Sequence, residues 1–277
     1  MRMWQRAAVL LACSWALLAS PAGGVPDRFR VGSSHYRVRA SFTDVTTISG
    51  EGIQRESHES DVIYRQSVTH GGAGGGWEVR VTPEAGCETT VVGRTRTRSR
   101  AERSGGATLI FSRECRLVRV EGLRYDSETA GPAFLLLPLA ATRGGAATPA
   151  RRRGRDELVV DRLGEFTLEV SAQIVGAERA SGRNCRVVEI TLSLPAGELV
   201  AAGFNVSEQS KDYAGAGNGT VQSRVWIDAE TGEIVGARGT FRFHGTLTSH
   251  RSRRIRDISA HGSFQANLLG TPGGLTP

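Results

Sequence analysis

Lysine is almost missing from this 277-residue chain: Lys211 stands alone among 35 basic residues, and all the others are arginine. Such a skew reads as a coding preference, so the pI of about 9.9 says less about nucleic acid than the placement of the charge does. Aromatic residues make up only 6% of the chain, and the basic stretches contain none, which removes the stacking platforms that single-stranded nucleic acid needs. Nine prolines beside 35 glycines without a triplet period exclude collagen, and 39% apolar residues exclude wholesale disorder. Also missing are His-Glu-x-x-His, Gly-x-Ser-x-Gly, Cys-x-x-Cys and a phosphate loop with its lysine. No enzyme, cofactor or metal is therefore expected. Beyond the first two dozen residues no segment approaches the roughly 20 apolar residues a membrane helix requires, so an integral helical membrane protein is not expected either.

What is present begins with an export signal. Arg2 and Arg6 precede the apolar stretch Ala7 to Leu18, and Ser20-Pro21-Ala22 offers the small residues a signal peptidase reads. Residues 1–22 are thus expected to be a leader, and the mature protein to be periplasmic, cell-envelope or secreted. A competing reading takes Leu10-Leu11-Ala12-Cys13 as a lipobox that would leave a lipidated Cys13. The remainder, 23–270, suits one β-rich domain of two halves, about 27–130 and 156–268. They are joined by an apolar then arginine-rich loop, 131–155, and followed by a flexible tail, 271–277.

Period-two alternation runs almost throughout, the mark of half-buried antiparallel strands. Tyr36, Val38, Ala40 and Phe42 form one inward row; Phe166, Leu168, Val170, Ala172 and Ile174 form another, followed after Ser181-Gly182-Arg183-Asn184 by Val188, Ile190, Leu192 and Leu194. A second hairpin joins Val221–Ile227 to Ile234–Phe243 through Asp228-Ala229-Glu230-Thr231-Gly232, where Asp228 can cap the turn. No long 3.6-residue period occurs. Gly71 to Gly76 and Gly215 to Gly219 read as hairpin tips. The expected fold is all-β: a large curved antiparallel sheet, half barrel or barrel-like, with little helix.

Four features carry chemistry. Without Cys13 the cysteines are Cys87, Cys115 and Cys185; Cys87 and Cys115 could pair across adjacent strands, or all three could be buried thiols. Arg94, Arg96, Arg98 and Arg100 alternate with small polar residues, so an extended strand would show four guanidinium groups on one face, suited to phosphate or carboxylate. The competing reading is a charged edge strand that resists aggregation. His58 with Glu56, Glu59 and Asp61 contains cation-ligand types, for which a solvated loop is the preferred reading. Asp257, Ser259, His261 and Ser263 contain triad types, yet at two-residue spacing they line one strand face.

The order of leader, alternating strands, the Phe134-Leu135-Leu136-Leu137-Pro138 segment, a long hairpin, and then Val225-Trp226-Ile227-Asp228-Ala229-Glu230-Thr231-Gly232-Glu233-Ile234-Val235 resembles uncharacterised bacterial envelope proteins. More loosely, it is similar to the lipoprotein-carrier half barrels, curved sheets with a hydrophobic concavity. The resemblance spans about 134–247 and carries over no functional residue. It implies an exported non-catalytic protein that binds a lipid or other apolar ligand in the curved sheet. Phe134, Leu136, Phe166, Leu168, Val188, Ile190, Phe241 and Phe243 are the candidate lining residues. The alternative is an extracytoplasmic interaction protein that meets an anionic surface or partner through its arginine-rich edges.

Overall fold

The computed structural model describes residues 32–70, 76–100, 106–112, 117–122, 151–231 and 233–269. Twelve strands follow in chain order: β1 (Gly32–Ile48), β2 (Gly52–His70), β3 (Trp77–Val92), β4 (Thr95–Arg100), β5 (Ala107–Phe111), β6 (Leu117–Glu121), β7 (Arg151–Val160), β8 (Gly164–Ala180), β9 (Arg183–Leu194), β10 (Tyr213–Asp228), β11 (Ile234–Ser249) and β12 (Ile255–Leu268). One helix among the described residues, α1 (Ala196–Ser207), joins β9 to β10.

All twelve strands belong to one sheet, ordered β2-β1-β12-β11-β10-β9-β8-β7-β6-β5-β3-β4, and β2 also pairs with β3. That last pairing closes eleven strands into a barrel and leaves β4 as an edge strand outside the ring. The all-β expectation holds, with the closed ring replacing the open half barrel among the forms expected. The two sequence halves continue a single sheet.

Closure depends on a bend in β3. Its first part pairs with β5 from Trp77 to Val81, and its second part pairs with β4 from Cys87 to Val92. Between them Pro83 lacks a ladder donor, and Gly86 takes a φ of 143° with its missing Cβ directed at the Asp61 carbonyl, 2.3 Å away. The strand therefore turns off β5 while keeping β2 along its other edge.

The pairings differ greatly in length. β1 and β2 share seventeen register pairs, whereas the parallel contact of β6 with β7 consists of Arg119↔Val159 and Val120↔Val160. The Asp161 N–H adds one bond to the Val120 carbonyl at 2.8 Å. Among the described residues this short contact is the weakest seam of the ring, since each ladder pair supplies hydrogen bonds that water would otherwise take.

The β8–β9 and β10–β11 hairpins form as expected, while residues 71–75 of the expected Gly71 to Gly76 tip lie outside the described residues. Ser181 and Gly182 have φ of 49° and 77°, the two positive values a two-residue turn with the strands' own twist demands. Asp228 Oδ1 accepts the Glu230 and Thr231 N–H groups at 2.9 and 3.1 Å. One expectation is corrected: Gly215 to Gly219 is no hairpin tip but the interior of β10. Gly215 and Gly219 lie under α1, whereas Gly217, at a φ of 119°, is crowded by the His244 carbonyl of β11. The Gly197 carbonyl oxygen stands 2.0 Å from where a Cβ at 215 would be, and the Ala196 Cβ stands 3.2 Å from that of 219. α1 itself escaped the sequence analysis because Ala196, Gly197, Ala201 and Ala202 give its buried face little apolar contrast.

Candidate functional site

Alternation decides which side chains enter the barrel. Phe166 and Leu168 on β8, Val188 and Ile190 on β9, and Phe241 and Phe243 on β11 all point inward and are buried. They join one apolar cluster that runs from Tyr36 round to Ala266 and takes in Leu199 and Phe204 of α1. About eight strands make a barrel that its own wall can fill, and eleven need extra material. α1 supplies some of it on the inner face of β10 and β11. Burial of the lining is close to complete: Leu109, Val120 and Leu192 are 0% exposed, and Phe241 is 1%. Phe134 and Leu136 lie outside the described residues.

The opposite, outer face carries a groove of about 1390 Å³, lined by residues of β1, β2, β3, β9, β10, β11 and β12 and by Arg96 and Arg98 of β4. Arg39, Arg224 and Arg238 line its wall; Arg96 and Arg98 reach it from the edge strand, and Glu59, Asp61 and Glu189 are its carboxylates. Arg37 meets Asp61 with two bonds of 2.7 Å, and Arg39 Nε adds one of 3.1 Å. The Arg37 hydrogen bond foremost, with Arg39 helping, holds the Asp61 carboxyl below the usual carboxylate range against the cost of burial. Arg224 pairs with Glu178, and Arg238 lies 5.2 Å over the Trp226 ring. Among the described residues Arg96, Arg98 and Arg238 have no carboxylate partner; Arg98 Nη2 instead sits 3.2 Å from Cys87 Sγ.

The four predicted arginines are thus partly assembled. Arg96 and Arg98 share the groove, Arg100 lines a neighbouring cavity of about 830 Å³ with Arg37 and Asp61, and Arg94 falls in the turn before β4. Arg96, Arg98 and Arg100 stand on β4, at the edge of the sheet. Cys87 carries a free thiol, and Cys115, its expected partner, lies outside the described residues. Cys185 is buried, which with the nearby Asp228 charge pushes its thiol up.

Strand alternation splits the residues weighed for a cation. Glu59 and Asp61 face the outer groove, whereas Glu56 and His58 face inward on β2 and are buried, so the solvated-loop reading is corrected. Asp44 of β1 joins them, a residue the sequence analysis missed. The signal was available: Asp44 continues the inward row of Tyr36, Val38, Ala40 and Phe42. His58 Nε2 stands 2.9 Å from Asp44 Oδ1 and 3.8 Å from Glu56 Oε2, while Nδ1 stands 3.1 Å from Thr90 Oγ1. Asp257, Ser259, His261 and Ser263 occupy the outer face of β12, where Asp257 accepts the Thr246 hydroxyl at 3.0 Å.

No family model and no curated protein matches the sequence. Among solved structures the chain is similar to lipovitellin, described for its lipid–protein interactions, at a TM-score of 0.46 and 8% identity. That match covers 90% of this chain and 27% of the other, so the chain spans about a quarter of lipovitellin's length. It is also similar to the LolA superfamily protein NE2245 from Nitrosomonas europaea, at a TM-score of 0.17 and 10% identity over 85% of this chain and 87% of that one. A third is DynF from the dynemicin biosynthesis pathway of Micromonospora chersina, at 0.20 and 9% over 93% and 95%.

Proposed function

We propose that the protein is an exported, non-catalytic envelope protein that holds a lipid or another apolar ligand against the inner face of its curved sheet. The observation that carries this reading is the β6–β7 seam. Among the described residues an eleven-stranded ring lined by apolar side chains is held shut there by two parallel residue pairs and the Asp161 N–H bond to Val120, whereas every other neighbour in the ring shares a longer antiparallel ladder. Parting the seam opens the ring into a half barrel and exposes Val120, Leu158, Val160 and Phe166, the inward side chains of β6, β7 and β8. A ligand acyl chain recovers the burial lost, at roughly 25 cal/mol per Å² of apolar surface. The closed, fully buried lining is then the unloaded state.

The test uses the protein secreted with its own leader. Native mass spectrometry followed by organic extraction identifies the mature start and any lipid carried with it. In parallel, Arg119→Cys with Val159→Cys, which are register partners, locks the seam as a disulfide. We expect uptake of a fluorescent fatty acid by the reduced double variant and at least tenfold slower uptake by the oxidised one. A protein that carries no lipid and takes up none in either state overturns the reading.

A second reading rests on the outer groove. Three guanidinium groups free of described carboxylates, Arg96, Arg98 and Arg238, suit an anionic surface or partner, which bidentate guanidinium contacts recognise well.

A further inference from the structure

From the geometry of Asp44, Glu56 and His58 we propose a buried binding site for a divalent first-row transition-metal ion inside one end of the barrel. One ligand atom from each of the three lies within 4.8 Å of the others. Asp44 and Glu56 are direct register partners on β1 and β2, and His58 is two residues along β2, so the hairpin itself aims all three into the core. They are 2%, 5% and 4% exposed.

Charge is the first argument. Two carboxylates placed opposite each other repel, and burying them multiplies the cost. A protonated His58 leaves the trio at a net −1, and a neutral one leaves it at −2. A divalent ion bound by two carboxylates and a neutral imidazole brings the sum to zero. His58 Nε2 stands 2.9 Å from Asp44 Oδ1 and 3.8 Å from Glu56 Oε2. A cation in the same space serves both.

The surroundings are the second argument, because they do what supporting residues do around metal-bound histidine. In the tautomer a bound metal requires, Nδ1–H donates to Thr90 Oγ1, 3.1 Å away, and the Nε2 lone pair faces the carboxylates. Phe42 stacks on the imidazole at 4.3 Å and 13°, fixing the ring plane. The Gln54 amide donates to Glu56 Oε1, which leaves Oε2 on the histidine side. One nitrogen and two carboxylate donors suit zinc, manganese or ferrous iron better than copper(I), which prefers sulfur. Three protein ligands leave at least one coordination position for water.

The experiment is titration of chelator-treated, full-length mature protein with Zn²⁺ and with Mn²⁺, read by calorimetry and by elemental analysis after desalting. The expected result is one ion per chain and a higher thermal midpoint with metal. Asp44→Asn and Glu56→Gln should each abolish stoichiometric binding. Thr90→Val keeps all three ligands and removes only the hydroxyl beside Nδ1; it should weaken binding roughly 10- to 100-fold. This variant carries the test if either carboxylate variant fails to fold. Absence of stoichiometric Zn²⁺ and Mn²⁺ in the wild-type protein overturns the site, and so does wild-type affinity in Thr90→Val.

Discussion

The carbonyl oxygen of Gly197, in α1, lies 2.0 Å from the point a side chain on Gly215 would occupy, so the helix rests directly on the backbone of β10. Contact this close between a helix and a strand is possible only where both lack a Cβ. Gly215→Ala must therefore lift α1 off the sheet or bend β10, and the cost of such overpacking is about 3 kcal/mol of stability. Gly176→Ala, on the exposed part of β8 where a Cβ meets nothing within 4 Å, should stay within about 0.5 kcal/mol of wild type. Urea unfolding of the two variants checks the contrast; equal midpoints would mean that α1 does not sit on β10.

A second prediction concerns acid. Asp228 joins the β10–β11 turn to Arg183 of β9: its Oδ1 accepts two backbone N–H groups, and Arg183 Nη1 stands 3.1 Å from Oδ2 and 2.9 Å from Glu233 Oε2. Burial pushes its pKa up, yet the Glu230 and Thr231 N–H groups and Arg183 outweigh burial and hold it below the usual carboxylate value. A carboxyl with a depressed folded pKa stabilises the fold above its unfolded value of about 3.9, and that contribution is lost as pH falls through the folded value. Asp228→Asn should cost about 2 kcal/mol at pH 7 and progressively less below about pH 4. Stability curves of both proteins from pH 7 to pH 2 decide it, and a gap that does not narrow in acid counts against the assignment.

The outer groove gives the third. Arg96→Ser with Arg98→Ser removes two of the three guanidinium groups without a described carboxylate partner and leaves the barrel ring untouched, because β4 is outside it. Sedimentation with vesicles of anionic lipid should show salt-sensitive association of the wild-type protein, weakened about tenfold in the variant, since exposed charge contacts are screened by salt. Equal association of the two proteins would remove the groove from the anionic-surface reading while leaving the lipid-in-barrel reading standing.

Much of this protein was legible one strand at a time. Phe166, Leu168, Val170 and Ala172 announce an inward row by alternation alone, and Asp228-Ala229-Glu230-Thr231-Gly232 announces a turn, because side-chain direction and turn chemistry are local properties of the chain. The edge position of the arginine strand could also be anticipated from its charge. The rest depended on which strands met. Ring closure is decided by β3, which keeps β2 while bending from β5 to β4, and no period in the sequence reports a pairing between strands. The glycines at 215 and 219 read as a flexible loop until α1 is seen lying on them. Asp44, twelve residues before Glu56, could be read as inward from its row, but not as a neighbour of Glu56 and His58. Only the β1–β2 register set it opposite Glu56 and beside His58, because long-range distance is a property of the folded sheet.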